Sequence, residues 1–201
     1  MNTTQGTGPA LLAAAAAETT RVVTGAATAP LDTRTPCADW DLRTLLNHTI
    51  LWTSYSAERR AHGESVAEDL MSKDFTAEPG YVEAYQAQIA RAVQAWSAPG
   101  AWAGDRSVMG NAMPAADIGA MLIMEMALHG WDIAKATGQD YHCDADLAHA
   151  LLDTVQAQGD MFRQYQGFAA VVPVPGDAST LDRALGLSGR DPNWPDDDGT
   201  G

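Results

Sequence analysis

The sequence predicts an all-α fold, most simply a four-helix bundle with additions. Three observations carry this. Apolar residues recur at three- and four-residue spacing over several long stretches. Asp and Ser residues suited to N-caps open those stretches, and glycines close them. No stretch alternates convincingly as a strand; "FAAVVPV", residues 168–174, is the one candidate, and its proline demotes it.

The first helix is predicted over Pro9–Gly25, with Leu12, Ala15, Thr19 and Val22 on one face. The second runs from about Asp41 to His62 and ends at Gly63, with Asp39 or Asp41 as its N-cap. Its inward stripe is Leu45, His48, Trp52 and Tyr55. The third begins near Tyr81, after Pro79-Gly80, and presents Val82, Tyr85, Ile89, Val93 and Trp96. The fourth covers about Ala115 to Thr137 and stops at Gly138, with Ile118, Leu122, Glu125, His129 and Ile133 in line. The fifth starts near Asp144, with Leu147, Leu151, Val155 and Phe162 inward, and a short extra helix follows Ser179. The connections at 63–80 and 97–114 are long enough for crossovers and are candidate walls of a binding cavity. One domain is expected over 9–190, after a disordered stretch 1–8 and before a frayed acidic tail 191–201.

Charge narrows the function. The chain of 201 residues carries 26 acidic against 12 basic side chains, a formal net charge of -14. Nucleic acid and anionic membranes both require basic surfaces, so neither is an expected partner. No run of about 20 apolar residues exists to span a bilayer. "GPALLAAAAAETTRVV" has no positive charge before it, and Glu18 and Arg21 continue its helical pattern, so a signal peptide is not expected. Cys37 and Cys143 have no metal-type spacing; two free thiols in a reducing cytoplasm is the simple reading, one disulfide the other.

The informative stretch is "MLIMEMALHGWDIAKATG", residues 121–138. Glu125 and His129 lie one turn apart on its inward stripe. His48 lies on the inward stripe of the second helix. If the two helices pack together, His48, Glu125 and His129 can meet around one divalent ion. Two imidazoles and a carboxylate suit zinc first, then nickel, iron or manganese. Three protein ligands leave a position open, which is the pattern of a site for chemistry rather than a closed structural site. Asp132, three residues past His129, is a candidate either to orient an imidazole or to act as a further ligand. The plainer alternative stays open: Glu and His at i, i+4 are a common helix-surface pair, and a lone core histidine usually just has a hydrogen bond. His62, His142 and His149 follow no inward pattern and are not expected to be ligands. Cys37 precedes the second helix, where a thiol is either activated or simply packed. Trp40 is expected to anchor the start of that helix. Arg106 and Arg163 are candidates to hold a substrate carboxylate.

"TRTPCADWDLRTLLNHTI" resembles the helix-2 motif of the mycothiol-dependent maleylpyruvate isomerase N-terminal domain, within the DinB-like superfamily. "EMALHGWDIAKATG" resembles that family's second metal motif, and "VVPVPGDASTLDRALGLSGRDPNW" the C-terminal signature of a single-domain actinobacterial group. The resemblance covers residues 10–194. It implies a DinB-like four-helix bundle with long crossovers and a divalent metal, usually zinc, on His48, Glu125 and His129. It also implies a low-molecular-weight thiol, mycothiol, as cosubstrate. The isomerase carries a further sterol-carrier-like domain that this chain lacks, so S-transfer to a small electrophile is expected here ahead of maleylpyruvate isomerisation. A metal-binding protein or sensor without catalysis is the alternative. Relatives are often dimers, so a homodimer is a further expectation.

Overall fold

Asp41 decides where the second helix starts: its carboxylate accepts from the Thr44 amide at 2.8 Å. Asp144 and Ser179 cap two later helices in the same way, accepting from Leu147 and Asp182. The computed structural model describes residues 4–108 and 111–195. These are mostly helical: α1 Thr4–Gly25, α2 Leu42–Ile50, α3 Ser56–Ala61, α4 Glu68–Met71, α5 Tyr81–Ser97, α6 Ala115–Ala136, α7 Ala145–Gln164 and α8 Thr180–Leu187. One antiparallel hairpin, β1 Asp105–Val108 with β2 Asn111–Pro114, pairs Arg106 with Met113 and Ser107 with Ala112.

Four departures from the expected elements have physical causes. Helix α1 starts at Thr4 rather than Pro9, so residues 4–8 are helical; Met1, Asn2 and Thr3 lie outside the described residues. Pro9, the sixth residue of α1, has no amide to donate, so one bond near the N-terminal end of the ladder is missing. The second helix is not uniform: α2 and α3 are joined by a π turn, Leu51–Tyr55. There the hydroxyls of Thr53 and Ser54 donate to the Thr49 and Ile50 carbonyls, each at 2.6 Å, supplying donors where the ladder widens. The hairpin falls in the 97–114 connection, where no strand was expected, because four-residue strands of this composition give no periodic signal. In the expected frayed tail, Trp194 packs on the core around α7 and α8; residues 196–201 lie outside the described residues.

Helix α1 packs on α5 and α6, α3 on α5, and α2 on α6. Their shared core includes Leu12, Leu45, Ile89, Trp96, Leu122 and Ile133, all nearly inaccessible. The single hydroxyl proton of Thr19 is shared between the Ala15 carbonyl of α1 and the Met126 carbonyl of α6, the latter at 2.9 Å. Gly119 lets α6 pass beneath Trp102; a Cβ there would run into the indole ring. A second core joins the opposite side of α6 to α7 and α8 through Leu128, Trp131, Leu151, Val155 and Leu185. Among the described residues no helix is long and apolar enough to cross a membrane.

Leu122 has no exposure at all. Leu122→Ala should therefore lower unfolding stability by about 3 kcal/mol through lost burial and a residual cavity. Urea denaturation reads this as a lowered midpoint at unchanged slope; a loss under 1 kcal/mol would place Leu122 outside the core.

Candidate functional site

The packing of α2 on α6 brings His48 of one helix to Glu125 and His129 of the other. Glu125 Oε2 lies 3.2 Å from His48 Nε2 and 3.4 Å from His129 Nε2. The three donor atoms lie within 4.8 Å of one another. For bonds of about 2.0–2.1 Å in a tetrahedral site, neighbouring donors sit about 3.3 Å apart, so both measured separations match an edge of that figure. The two imidazoles meet edge to face with centroids 4.8 Å apart. Trp40 covers both, 4.6 Å from His48 and stacked on His129 at 5.7 Å. Its expected role was only to begin the helix. The segment that carries it is pinned by buried Thr35, whose hydroxyl donates to the Trp40 carbonyl and accepts from the Cys37 amide.

Behind His129 stands Asp132, fully buried. His129 Nδ1–H donates to Asp132 Oδ2 at 3.0 Å, since an ionised carboxylate only accepts. That fixes one proton on Nδ1 and turns Nε2 toward the Glu125 oxygen, where Nε2 either carries a second proton or offers its lone pair to a cation. Two acceptors do not rest against each other without a positive charge between or upon them. Either a proton or a metal cation satisfies this geometry, so the donor set fits a divalent ion.

A second group, Cys37, His129 and Asp132, is also compact. It suits a cation poorly. Arg190 clamps Asp132 with two bonds, Nε to Oδ1 at 2.8 Å and Nη2 to Oδ2 at 2.7 Å. The Cys37 thiol donates to the same carboxylate at 3.1 Å. With His129, these occupy the carboxylate's acceptor positions and set a guanidinium beside them. Burial, and then the Asp132 charge, raise the Cys37 pKa, so this thiol is a protonated donor rather than an activated nucleophile.

Burial alone would raise the pKa of Asp132, but Arg190 and His129 outweigh it and hold the carboxyl well below the ordinary range. Glu125 is likewise lowered: burial opposes its charge, and hydrogen bonds from His129 and His48 prevail. For His129, burial works against the charged form, yet Asp132, Cys37 and Glu125 raise its pKa well above the usual value.

The site opens into a cleft of about 560 Å³. Its walls are not the expected connections at 63–80 and 97–114. They are the 36–40 segment, the end of α7 with the residues after it, and residues 188–190. The 63–80 connection is instead tied down by Asn47, which accepts from the Phe75 amide and donates to Asp74. Arg163 does line the cleft; Arg106 does not, its guanidinium being spent on backbone carbonyls such as those of Ala103 and Ala101. His62 ends α3, His142 pairs with Glu18, and His149 bonds the Ala145 carbonyl. Both cysteines are free thiols, and burial is the main cause that pushes Cys143 up to about 11. The pairing of Arg190 with Asp132 has no periodic signal, although Arg190 lies within the C-terminal signature, and the covering role of Trp40 goes beyond its visible position beside the second helix.

These features define a class: a helical domain with a candidate cation-binding donor set beside a cleft of small-molecule size. A family model of the mycothiol maleylpyruvate isomerase N-terminal domain matches residues 12–134, and the chain belongs to that family. Two uncharacterized proteins of Mycobacterium tuberculosis, from two strains, are each 26% identical over 165 residues, covering 78% of this chain and 82% of their own length. No solved structure matches significantly.

Arg190→Met would leave the Asp132 charge buried without its guanidinium, a change expected to cost about 3–5 kcal/mol. A lowered carboxyl pKa stabilises the fold above the unfolded value near 4, and that stabilisation fades as pH falls through the lowered value. Acid titration followed by circular dichroism should therefore show Arg190→Met unfolding at higher pH than wild type; coincident acid midpoints would count against the clamp.

Proposed function

We propose that this protein is a divalent-metal-dependent thiol S-transferase, or a related isomerase, acting on a small electrophile with a low-molecular-weight thiol such as mycothiol as cosubstrate. The fold is read as a DinB-like four-helix bundle formed by α1, α2 with α3, α5 and α6, joined by long crossovers. His48, Glu125 and His129 are the proposed ligands, with zinc favoured by the nitrogen-rich donor set over nickel, iron or manganese. The carrying observation is the Glu125 oxygen held within 3.4 Å of two imidazole nitrogens from two helices. Family membership supports the thiol.

When bound, such a cation stabilises a thiol in its deprotonated, nucleophilic form at neutral pH. The chain's own residues do the rest. Asp132 holds the His129 proton on Nδ1, which keeps Nε2 free to ligate. Arg190 fixes Asp132. Trp40 shields the imidazoles on one side and limits water at the donor atoms. In the net reaction the thiol proton goes to solvent and a sulfur–carbon bond forms. In substitution the leaving group departs with its electron pair; in addition to an activated double bond, the neighbouring carbon takes up a proton. An isomerase would expel the sulfur again after rotation about the saturated bond.

One observation favours binding without turnover. Apart from Glu125, the described residues lining the cleft offer Asp39 as their one carboxylate, and it sits exposed at the rim. Few groups are thus placed to act as a general base.

Metal content decides first. Purified protein should hold about one divalent ion per chain, and His48→Ala close to none, because two remaining ligands bind weakly. Thiol conjugation of an electrophile panel should vanish on chelation and return with zinc. Protein isolated and reloaded without retaining metal would end the proposal; stoichiometric metal with no turnover would leave the binding-only reading.

A further inference from the structure

We infer that the cleft selects a neutral aromatic electrophile and excludes dicarboxylates. The reactivity of this ligand rests on the S-transfer reading above, but its selection is a matter of binding alone. The volume of about 560 Å³ falls within the range of small-molecule sites. Trp40, Leu128, Phe162 and Phe168 all face it. Phe162 and Phe168 stack with centroids 5.0 Å apart and planes at 29°.

That aromatic wall is built at some expense to the backbone. Gln166 has φ 61°, a left-handed conformation that non-glycine residues rarely adopt. The turn brings the Gly167 amide to the Phe162 carbonyl at 2.8 Å and returns Phe168 over Phe162. Gly167 runs close beneath: a Cβ on it would stand 3.2 Å from the Phe162 ring. Strain of this kind at the lip of a cleft is characteristic of ligand-contacting turns.

Charge makes the second half of the case. Two guanidiniums line the cleft, and both are engaged. Arg190 is clamped on Asp132, and Arg163 donates to the Leu187 carbonyl at 2.8 Å and to Asp160 at 2.7 Å. No lysine lines it. Among the described residues, Glu125 and Asp39 are its carboxylates. With a divalent cation held and a thiolate beside it, the cleft has no positive charge to spare. A carboxylate entering here would leave water without finding a partner, whereas a neutral ring meets aromatic and aliphatic walls.

The test uses the intact protein with zinc and excess low-molecular-weight thiol present, so that the open coordination position is filled, titrated by calorimetry with 4-nitrobenzyl alcohol, a neutral aromatic, and with fumarate, a dicarboxylate. The aromatic probe should bind saturably and show nuclear Overhauser contacts to Phe162 and Phe168. Phe168→Ala should weaken it about ten-fold, the scale of a lost aromatic contact. Fumarate should not bind wild type but should bind Ala38→Lys, which adds a cation at an exposed position on the rim. Fumarate binding wild type as tightly as the neutral probe, or neither probe binding, would overturn the inference. So would a bound aromatic without contacts to either Phe, a readout that needs no variant to fold. Metal content and turnover on the same preparation separate the two claims. Selectivity without turnover refutes S-transfer only, and turnover without this selectivity refutes the present inference only.

Discussion

A half-buried carboxylate shared by two imidazoles is the interaction on which the site depends. Glu125 sits in the most apolar helix of the chain, where an unpaired negative charge is costly. Its partners come from its own helix and from α2, so the α2–α6 contact is electrostatic as well as apolar. From there, charge alternates outward: His129 bonds Asp132, and Asp132 bonds Arg190. Each link leaves the next one satisfied. Removing any interior member strands a buried charge, which explains why so polar a path can run through an apolar interior.

The stripes on the sequence report which side chains point inward, and they place the continuous run from α2 through the π turn to α3, the whole of α6, and the starts of α5 and α7 within a residue or two. Leu45, His48, Tyr85, Ile89, Leu122 and Ile133 lie where their periodicity put them. Periodicity does not say which helix faces which, so the meeting of His48 with Glu125 needed the structure. Nor could it reveal Arg190, which lies 58 residues from Asp132. A lone arginine beyond a short helix has no pattern to read. The π turn was hidden for a different reason: Thr53 and Ser54 look like ordinary helix residues until their hydroxyls are seen on the carbonyls one turn back. Loop length alone points to the wrong cleft walls: Asn47 ties one long connection down, and the shorter 36–40 segment does the lining.

Helix α6 shows where stripe reasoning was weakest. It is buried nearly all round, between the α1–α2 core on one side and the α7–α8 core on the other. On such a helix almost any residue is inward, so alignment of Glu125 with Leu122 carries little information of its own. What carries information is that a charged residue is tolerated there at all, and tolerance requires partners. The family match ends at residue 134, yet the partner that completes the path, Arg190, and the aromatic wall of the cleft both come from beyond it. The α7–α8 layer is therefore part of the site rather than an appendage to it. By burying the far face of α6, it lowers the dielectric around Asp132. By returning the chain to that carboxylate, it supplies the countercharge that the lowered dielectric makes necessary.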